Sequence, residues 1–376
     1  MKDPRVGELT RPSNRRSFMK KSLLAGTATV GAGLVASSAA SGQSLIGPTP
    51  GDIAILQFLA AAELIESDLW EQYAELGGLT PGQVPVETNP NFTPMNSYQA
   101  ALMNLDPDGP QYISSNTLDE QSHAAFLNAY LQSKGAFPVN FDQFRTLPSS
   151  QATPAKQIGR LTNLMNLTVD TSWFTRYRST TNPDLGATFP QAVTLTNVPG
   201  IPRKNADFNL SNIQAIANIA AFHFGFIEQG GSSLYATLSQ KVSSPEVLKI
   251  TLSIGGDEIV HFLEWVDFSG NGVQPPVAPI AAANGLPAFP NFDVADPVFP
   301  NPQLQTNLIF PVPCEFISPA LPKCAVIRPT SAGQIDAVGA VKALTADGLF
   351  IGQSKEFLDL FMGMAIAADA AQRIIL

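Results

Sequence analysis

The chain contains three histidines, and two of them follow a glutamate by three residues. The first pair is Glu120 with His123, and the second is Glu258 with His261. Residues i and i+3 of an α-helix lie on the same face, so each pair would present a carboxylate and an imidazole together. Apolar residues flank both pairs, which predicts that they point into a helical core. The alternative is that both pairs lie on the solvent-exposed surface of their helices.

Two further glutamates lie in apolar stretches that precede the pairs. Glu63 lies in FLAAAELIES and Glu228 lies in AAFHFGFIEQGG. A buried carboxylate is costly unless it is paired or bound to metal. Two divalent cations would neutralise four such groups, as they do in di-metal helix bundles. The order Glu, Glu-x-x-His, Glu, Glu-x-x-His therefore predicts a site for two metal ions.

Helical spacing of apolar residues predicts an all-α chain. The predicted helices cover residues 51–76, 97–105, 111–134, 155–178, 211–239, 245–268 and part of 331–376. Asp52 is the expected cap of the first helix, and Gly77 with Gly78 should end it. Residues 273–328 are rich in Pro, Asn and Ala and are expected to be irregular.

The start of the second long helix decides the role of Glu120. Thr117-Leu118-Asp119-Glu120 is a capping-box pattern, and a start at Thr117 would make Glu120 a cap. A start near Gln111, which we favour, leaves Glu120 available to a metal.

His223 is expected to be a core or supporting histidine, because it lies five residues before Glu228. Asp119 and Asp257 are expected to face solvent.

Residues 52–76, 117–135, 211–239 and 246–268 resemble the ferritin-like superfamily. The resemblance rests on Ala62-Glu63-Leu64-Ile65-Glu66 before Trp70 and Tyr73, and on Glu228-Gln229-Gly230-Gly231 before Leu234-Tyr235. The nearest branch is that of ferritin-like domain proteins, which includes desiccation-related proteins of plants and bacteria and stress-response proteins of fungi.

The resemblance implies a ferritin-like four-helix bundle over residues 51–270, with a long crossover between helices two and three. Residues 271–376 would be a Pro-rich and helical extension. The implied metal ligands are Glu63, Glu120, His123, Glu228, Glu258 and His261. Glu66 is the alternative to Glu63, and the pair of carboxylates that bridges the ions stays open. Carboxylate and imidazole ligands suit iron or manganese, and zinc as well.

Residues 1–42 resemble a twin-arginine export signal. Asn14-Arg15-Arg16-Ser17-Phe18-Met19-Lys20 is followed by a weakly apolar stretch rich in small residues. Such a signal implies export of a folded protein, with its metal already loaded, to the periplasm or the outside. A membrane anchor is the alternative, but the apolar run is short for a span. No later segment is predicted to cross a membrane.

The charge and the cysteines fit an exported protein. The net charge is −9, and residues 1–42 carry seven basic and two acidic side chains, so the remaining chain has a net charge of −14. Nucleic acid is therefore not an expected partner, because binding it needs a basic surface. The two cysteines, Cys314 and Cys324, are predicted to form a disulfide.

These observations predict redox chemistry with dioxygen or peroxide in stress protection. One alternative is a non-enzymatic desiccation or stress scaffold with a structural or vestigial metal site. Another is an enzyme similar to manganese catalase. Iron storage in a shell is less expected, because the long insertions would crowd a cage. The oligomeric state is left open.

Overall fold

A computed structural model gives the fold. It describes residues 47–86, 88–89, 91–173, 193–272, 280–283, 286, 288–289, 317–324 and 336–374. The predicted export signal and Cys314 lie outside these residues. Cys324 is described and exposed, so the disulfide stays a prediction.

The described part of the chain is mostly helical, in agreement with the predicted all-α class. Its helices are α1 (Pro50–Gly77), α2 (Ser97–Leu105), α3 (Gly109–Ser133), α4 (Ile213–Ser239), α5 (Pro245–Gly272), α6 (Ala337–Ala346) and α7 (Lys355–Asp369). Strands β1 (Leu167–Asp170) and β2 (Thr194–Val198) form a small antiparallel sheet. Short 3-10 turns cover Asp142–Phe144 and Asn205–Asn209.

Two pairs of long helices build the core. Helix α1 packs along α3, and α4 packs along α5. The connection between α4 and α5 is only five residues long, so these two are antiparallel neighbours, as predicted. Helix α3 also contacts α5, which brings the two pairs together. Side chains from all four helices therefore share one interior.

The first helix is capped three residues earlier than expected. Thr49, not Asp52, is the N-cap, and its side chain accepts a hydrogen bond from the Asp52 amide at 3.1 Å. The Asp52 carboxylate in turn accepts from the Thr49 amide at 2.8 Å, which completes a capping box. It also accepts from the Ser243 amide at 2.7 Å and so ties the α4–α5 turn to α1. The helix ends at Gly77, as predicted.

Helix α3 begins well before the capping-box pattern in its sequence. It starts at Gly109, and Pro110 lies in its first turn, where a missing amide hydrogen costs nothing. Thr117 lies in mid-helix, and its hydroxyl donates to the Ile113 carbonyl at 2.7 Å. Glu120 is therefore three turns inside the helix and is not a cap. The favoured early start is confirmed.

Helix α5 runs four residues past its predicted end at Phe268. Ser269-Gly270-Asn271-Gly272 looks like a terminator in sequence but is helical. The reason is tertiary: the Ser269 hydroxyl donates to the Ala221 carbonyl at 2.9 Å, and the Asn271 side chain donates to the Leu105 carbonyl. Small side chains allow this close packing.

The predicted helix over residues 155–178 is wrong over residues 155–172, and of its described part only Trp173 is helical. Residues 155–166 are irregular, and β1 follows them. The cause is Asp68 of α1, whose buried carboxylate accepts from the Leu161 amide at 3.0 Å and the Thr162 amide at 2.9 Å. Amides held in this way are not available to a helix. Leu161, Leu164 and Trp173 are nevertheless fully buried, as predicted.

Part of the C-terminal region packs on the four long helices. The Phe361 ring of α7 stacks on Phe58 of α1 with centroids 5.4 Å apart. Phe357 is fully buried beside it. The expectation of helices within 331–376 is confirmed by α6 and α7. Among the described residues, no helix is both long enough and apolar enough to cross a membrane.

Removing the carboxylate of Asp68 should destabilise the crossover. In Asp68→Ala, two buried amides lose their acceptor, and Arg145 loses an ion pair of 2.6 Å. We expect a loss of about 3 kcal/mol in the free energy of unfolding, measured by urea denaturation. Asp359→Ala is the control, because Asp359 forms an exposed ion pair with Lys355 and should cost less than about 1 kcal/mol. Equal losses would contradict the role given to Asp68.

Candidate metal centre

The six predicted ligands meet in the interior that the four long helices share. Helix α1 supplies Glu63, α3 supplies Glu120 and His123, α4 supplies Glu228, and α5 supplies Glu258 and His261. All six side chains are buried, and the most exposed of them, His123, is only 8% accessible. The prediction that the two Glu-x-x-His pairs point inward is therefore confirmed.

Their donor atoms form two groups with a common member. Glu63, Glu120, His123 and Glu258 form the first group, and Glu120, Glu228 and His261 form the second. Within each group, one ligand atom from every residue lies within 4.8 Å of the others. Both groups could hold a metal ion. Glu66 belongs to neither, so the geometry favours Glu63 as the residue that helix α1 contributes.

The carboxylate of Glu120 lies between the two imidazoles. Its Oε2 is 3.3 Å from Nδ1 of His123, and its Oε1 is 3.0 Å from Nδ1 of His261. Glu258 crosses over in a similar way, because its Oε1 is 3.7 Å from Nδ1 of His123, on the other helix pair. Each Glu-x-x-His unit thus places its glutamate near the histidine of the other unit.

Two aspartates hold the outer side of the imidazoles. Asp257 Oδ2 is 3.2 Å from Nε2 of His123, and Asp119 Oδ2 is 3.4 Å from Nε2 of His261. Each aspartate therefore faces the histidine of the other helix. Such a contact orients the ring and directs Nδ1 towards the carboxylates, as it does around metal-bound histidines.

Sequence reasoning missed this role of Asp119 and Asp257. Both are partly exposed, as expected, with 40% and 42% of their side chains accessible. A signal was present, because an aspartate directly precedes the glutamate of each Glu-x-x-His unit. The role of these aspartates follows only from the alignment of α3 with α5, which cannot be inferred from the sequence alone.

Tyr235 and Gly231 of α4 also serve the site. The Tyr235 hydroxyl donates a hydrogen bond to Oε1 of Glu63. At Gly231 a Cβ atom would lie 2.1 Å from Oε2 of Glu258, well inside van der Waals contact. Only glycine therefore leaves room for the carboxylate of Glu258 in its present position.

His223 is not part of the centre. Its Nδ1 is 2.8 Å from the Tyr73 hydroxyl, and its Nε2 is 2.7 Å from Oδ2 of Asp347. All three residues are buried. Both ring nitrogens are engaged, so the interpretation of His223 as a core histidine is confirmed.

The charges of the centre perturb each other strongly. Burial alone would lower the pKa of His123, but the acceptors Asp257, Glu120 and Glu63 outweigh it and raise that pKa to about 12. Burial is likewise opposed at Glu120, where hydrogen bonds from His123 and His261 lower the pKa to about 2. Burial and the charge of Glu120 raise the pKa of Glu63 to about 8. When no cation is bound, protons held by groups such as His123 and Glu63 therefore offset the negative charge of the carboxylates.

Several carboxylate oxygens still lack a partner. Both oxygens of Glu228 and both of Glu258 have no hydrogen-bond partner in the described part of the chain. Their nearest imidazole nitrogens lie at 3.5 and 3.7 Å, which is too long for a strong hydrogen bond. A buried polar atom without a partner costs about 1–3 kcal/mol, and more if it is charged. Bound cations would satisfy these oxygens, so the donor set fits metal.

Comparison with protein-family models, with curated proteins and with solved structures found no match to this chain.

The close approach at Gly231 gives a test of the centre. Gly231→Ala should displace the Glu258 carboxylate and lower the amount of bound divalent cation, measured by elemental analysis. Gly230→Ala is the matched control, because no heavy atom lies within 4 Å of its Cβ position. The control should keep its metal and gain about 0.5–1 kcal/mol of stability from the better helix former. Equal metal content in both variants would contradict the role of Gly231.

Metal binding should release protons. At pH 7 His123, with a pKa of about 12, and Glu63, with a pKa of about 8, carry protons that a cation must displace. We expect release of at least about two protons and an affinity that falls as the pH falls from 8 to 6. Titration calorimetry of the metal-free protein in two buffers of different ionisation enthalpy measures the number. Binding heats that do not depend on the buffer would contradict this electrostatic picture.

Proposed function

We propose that the chain is an exported ferritin-like di-metal carboxylate protein that carries out redox chemistry with dioxygen or peroxide in stress protection. Helices α1, α3, α4 and α5 are the four helices of the proposed bundle, and the long crossover joins α3 to α4. The observation that carries the proposal is the meeting of six buried glutamate and histidine side chains from these helices, with carboxylate oxygens that lack partners.

The two groups of donors suggest how two ions would be held. Glu63, Glu120, His123 and Glu258 would hold the first ion. Glu228 and His261 would hold the second together with Glu120, which both groups share. Four carboxylates carry four negative charges, so two divalent cations with neutral imidazoles leave the centre uncharged. This balance removes the cost of burying the carboxylates.

Iron and manganese are the proposed metals. Mixed carboxylate and imidazole donors suit both ions, and both bind in helix-bundle sites of this type. When bound, either ion would supply electrons to dioxygen or peroxide. Burial of the six ligands excludes bulk water from them, which limits side reactions.

The surrounding residues would position the ligands. Asp257 and Asp119 keep each imidazole turned so that Nδ1 faces the carboxylates. The Tyr235 hydroxyl binds one oxygen of Glu63 and leaves Oε2 for an ion. Burial and the charges of Glu63 and Glu258 raise the pKa of the Tyr235 hydroxyl well above its usual value, so it stays protonated and acts as a hydrogen-bond donor to Glu63.

Export places the proposed chemistry outside the cytoplasm. The proposal rests on Arg15 and Arg16 within the resemblance to a twin-arginine signal, and it fits the predicted Cys314–Cys324 disulfide. Protection against oxidants or desiccation is a better explanation there than storage of iron.

Metal content is the first test. The purified protein, produced with iron and manganese available, should contain about two equivalents of transition metal. Glu258→Gln keeps the size of the side chain but removes a donor oxygen, and it should lose at least half of the metal. Glu246→Gln, on the same helix α5 but exposed, is the matched control and should keep it. Well under one equivalent in the unaltered protein would refute the proposal.

Turnover separates the enzymatic function from its alternatives. The metal-loaded protein should consume peroxide or dioxygen, followed with an oxygen electrode, and Glu258→Gln should not. Oxygen release from peroxide by the manganese form would identify an enzyme similar to manganese catalase. Full metal content without any turnover would favour a scaffold with a structural metal site and would refute the redox function.

A further inference from the structure

A cavity of about 130 Å³ lies beside the centre, between α1, α4 and the C-terminal helices. Apolar side chains form most of its wall, among them Phe58, Leu69, Phe226, Leu344 and Phe361. Neither group of metal donors lies inside it. The cavity is therefore a separate space with a chemistry different from that of the centre.

The wall between the cavity and the centre is one residue thick. Tyr235 lines the cavity and also donates a hydrogen bond to Glu63. Gly231 lines it as well, and the Glu258 carboxylate lies directly against the Cα of that glycine. A molecule in the cavity would thus lie next to two of the proposed metal ligands.

Small residues of helix α6 create the room. Gly339, Ala340 and Ala343 lie on the side of α6 that lines the cavity. Larger side chains at these positions would fill the space. The C-terminal helices α6 and α7 supply no metal donor, but they form one wall of this cavity.

We infer that this cavity binds a small, uncharged, apolar organic molecule of about the size of a benzene ring. The cavity is partly open to solvent, because Ala343 in its wall is exposed. Its volume is nevertheless close to that of an engineered closed apolar cavity of about 150 Å³ that binds benzene or xenon, so it suits the same class of ligand. The carboxyl group of Glu66 in the wall disfavours an anion, and the apolar remainder disfavours a strongly hydrated cation. The position beside Tyr235 makes such a molecule an organic partner of the proposed centre, and in this respect the inference rests on the proposed function.

Xenon and toluene are the probes for this site. Crystals of the full chain under xenon pressure should show anomalous density between α4 and α6. In solution, toluene should bind the unaltered protein with about one equivalent per chain, measured by titration calorimetry. Xenon density only at other places would overturn the inference, whatever the behaviour of any variant.

A cavity-filling substitution tests the location. Ala340→Leu adds carbon atoms inside the cavity and should weaken toluene binding by about tenfold or more. Ala346→Leu is the matched control, because Ala346 is exposed on the same helix and does not line the cavity. Circular dichroism verifies that both variants fold. Equal toluene binding by the two variants would overturn the inference.

Metal analysis of the same samples keeps the two proposals apart. Ala340 lies on α6, which supplies no donor to either group, so Ala340→Leu should keep the metal content of the unaltered protein. Metal without toluene binding would refute only the cavity site. Toluene binding without metal would support the cavity site and refute the proposed function.

Discussion

Repulsion between buried carboxylates is the constraint on which the centre depends. Two unit charges 4 Å apart repel by about 4 kcal/mol at the effective dielectric constant of a partly buried site. Glu63, Glu120, Glu228 and Glu258 all lie in one interior, so several such repulsions would add up if all four were ionised. The fold places Nδ1 of both histidines among them and thereby supplies positive charge or a metal donor, depending on the proton.

The same constraint explains why small residues and polar contacts cluster around the centre. Gly231 lets the Glu258 carboxylate approach the backbone of α4, because any Cβ would displace it. Tyr235 and Asp257 each bind one member of the centre from outside. These residues limit the positions that the ligands can adopt when the charge changes.

Sequence periodicity was sufficient for the parts of the fold that depend on local pattern. The long helices and the inward direction of the Glu-x-x-His pairs follow from spacing and apolar flanks. The conformation of residues 155–166 does not, because Asp68 sets it from a position more than eighty residues earlier. The end of α5 likewise depends on contacts with other helices. So does the contact of each aspartate, Asp119 and Asp257, with the histidine of the other helix, because it depends on how α3 and α5 are aligned. Contacts between distant segments decided each case that local propensity missed.

One contact shows how the C-terminal region belongs to the rest of the molecule. The imidazole of His223 in α4 reaches Asp347, just after α6, across 124 residues of chain. A buried imidazole that loses its acceptor destabilises its surroundings, and the other nitrogen of this ring is bound to the Tyr73 hydroxyl of α1. A polypeptide that ended after α5 would thus expose a defect in the middle of its own core. The interior of the four long helices is accordingly complete only after synthesis has passed Asp347.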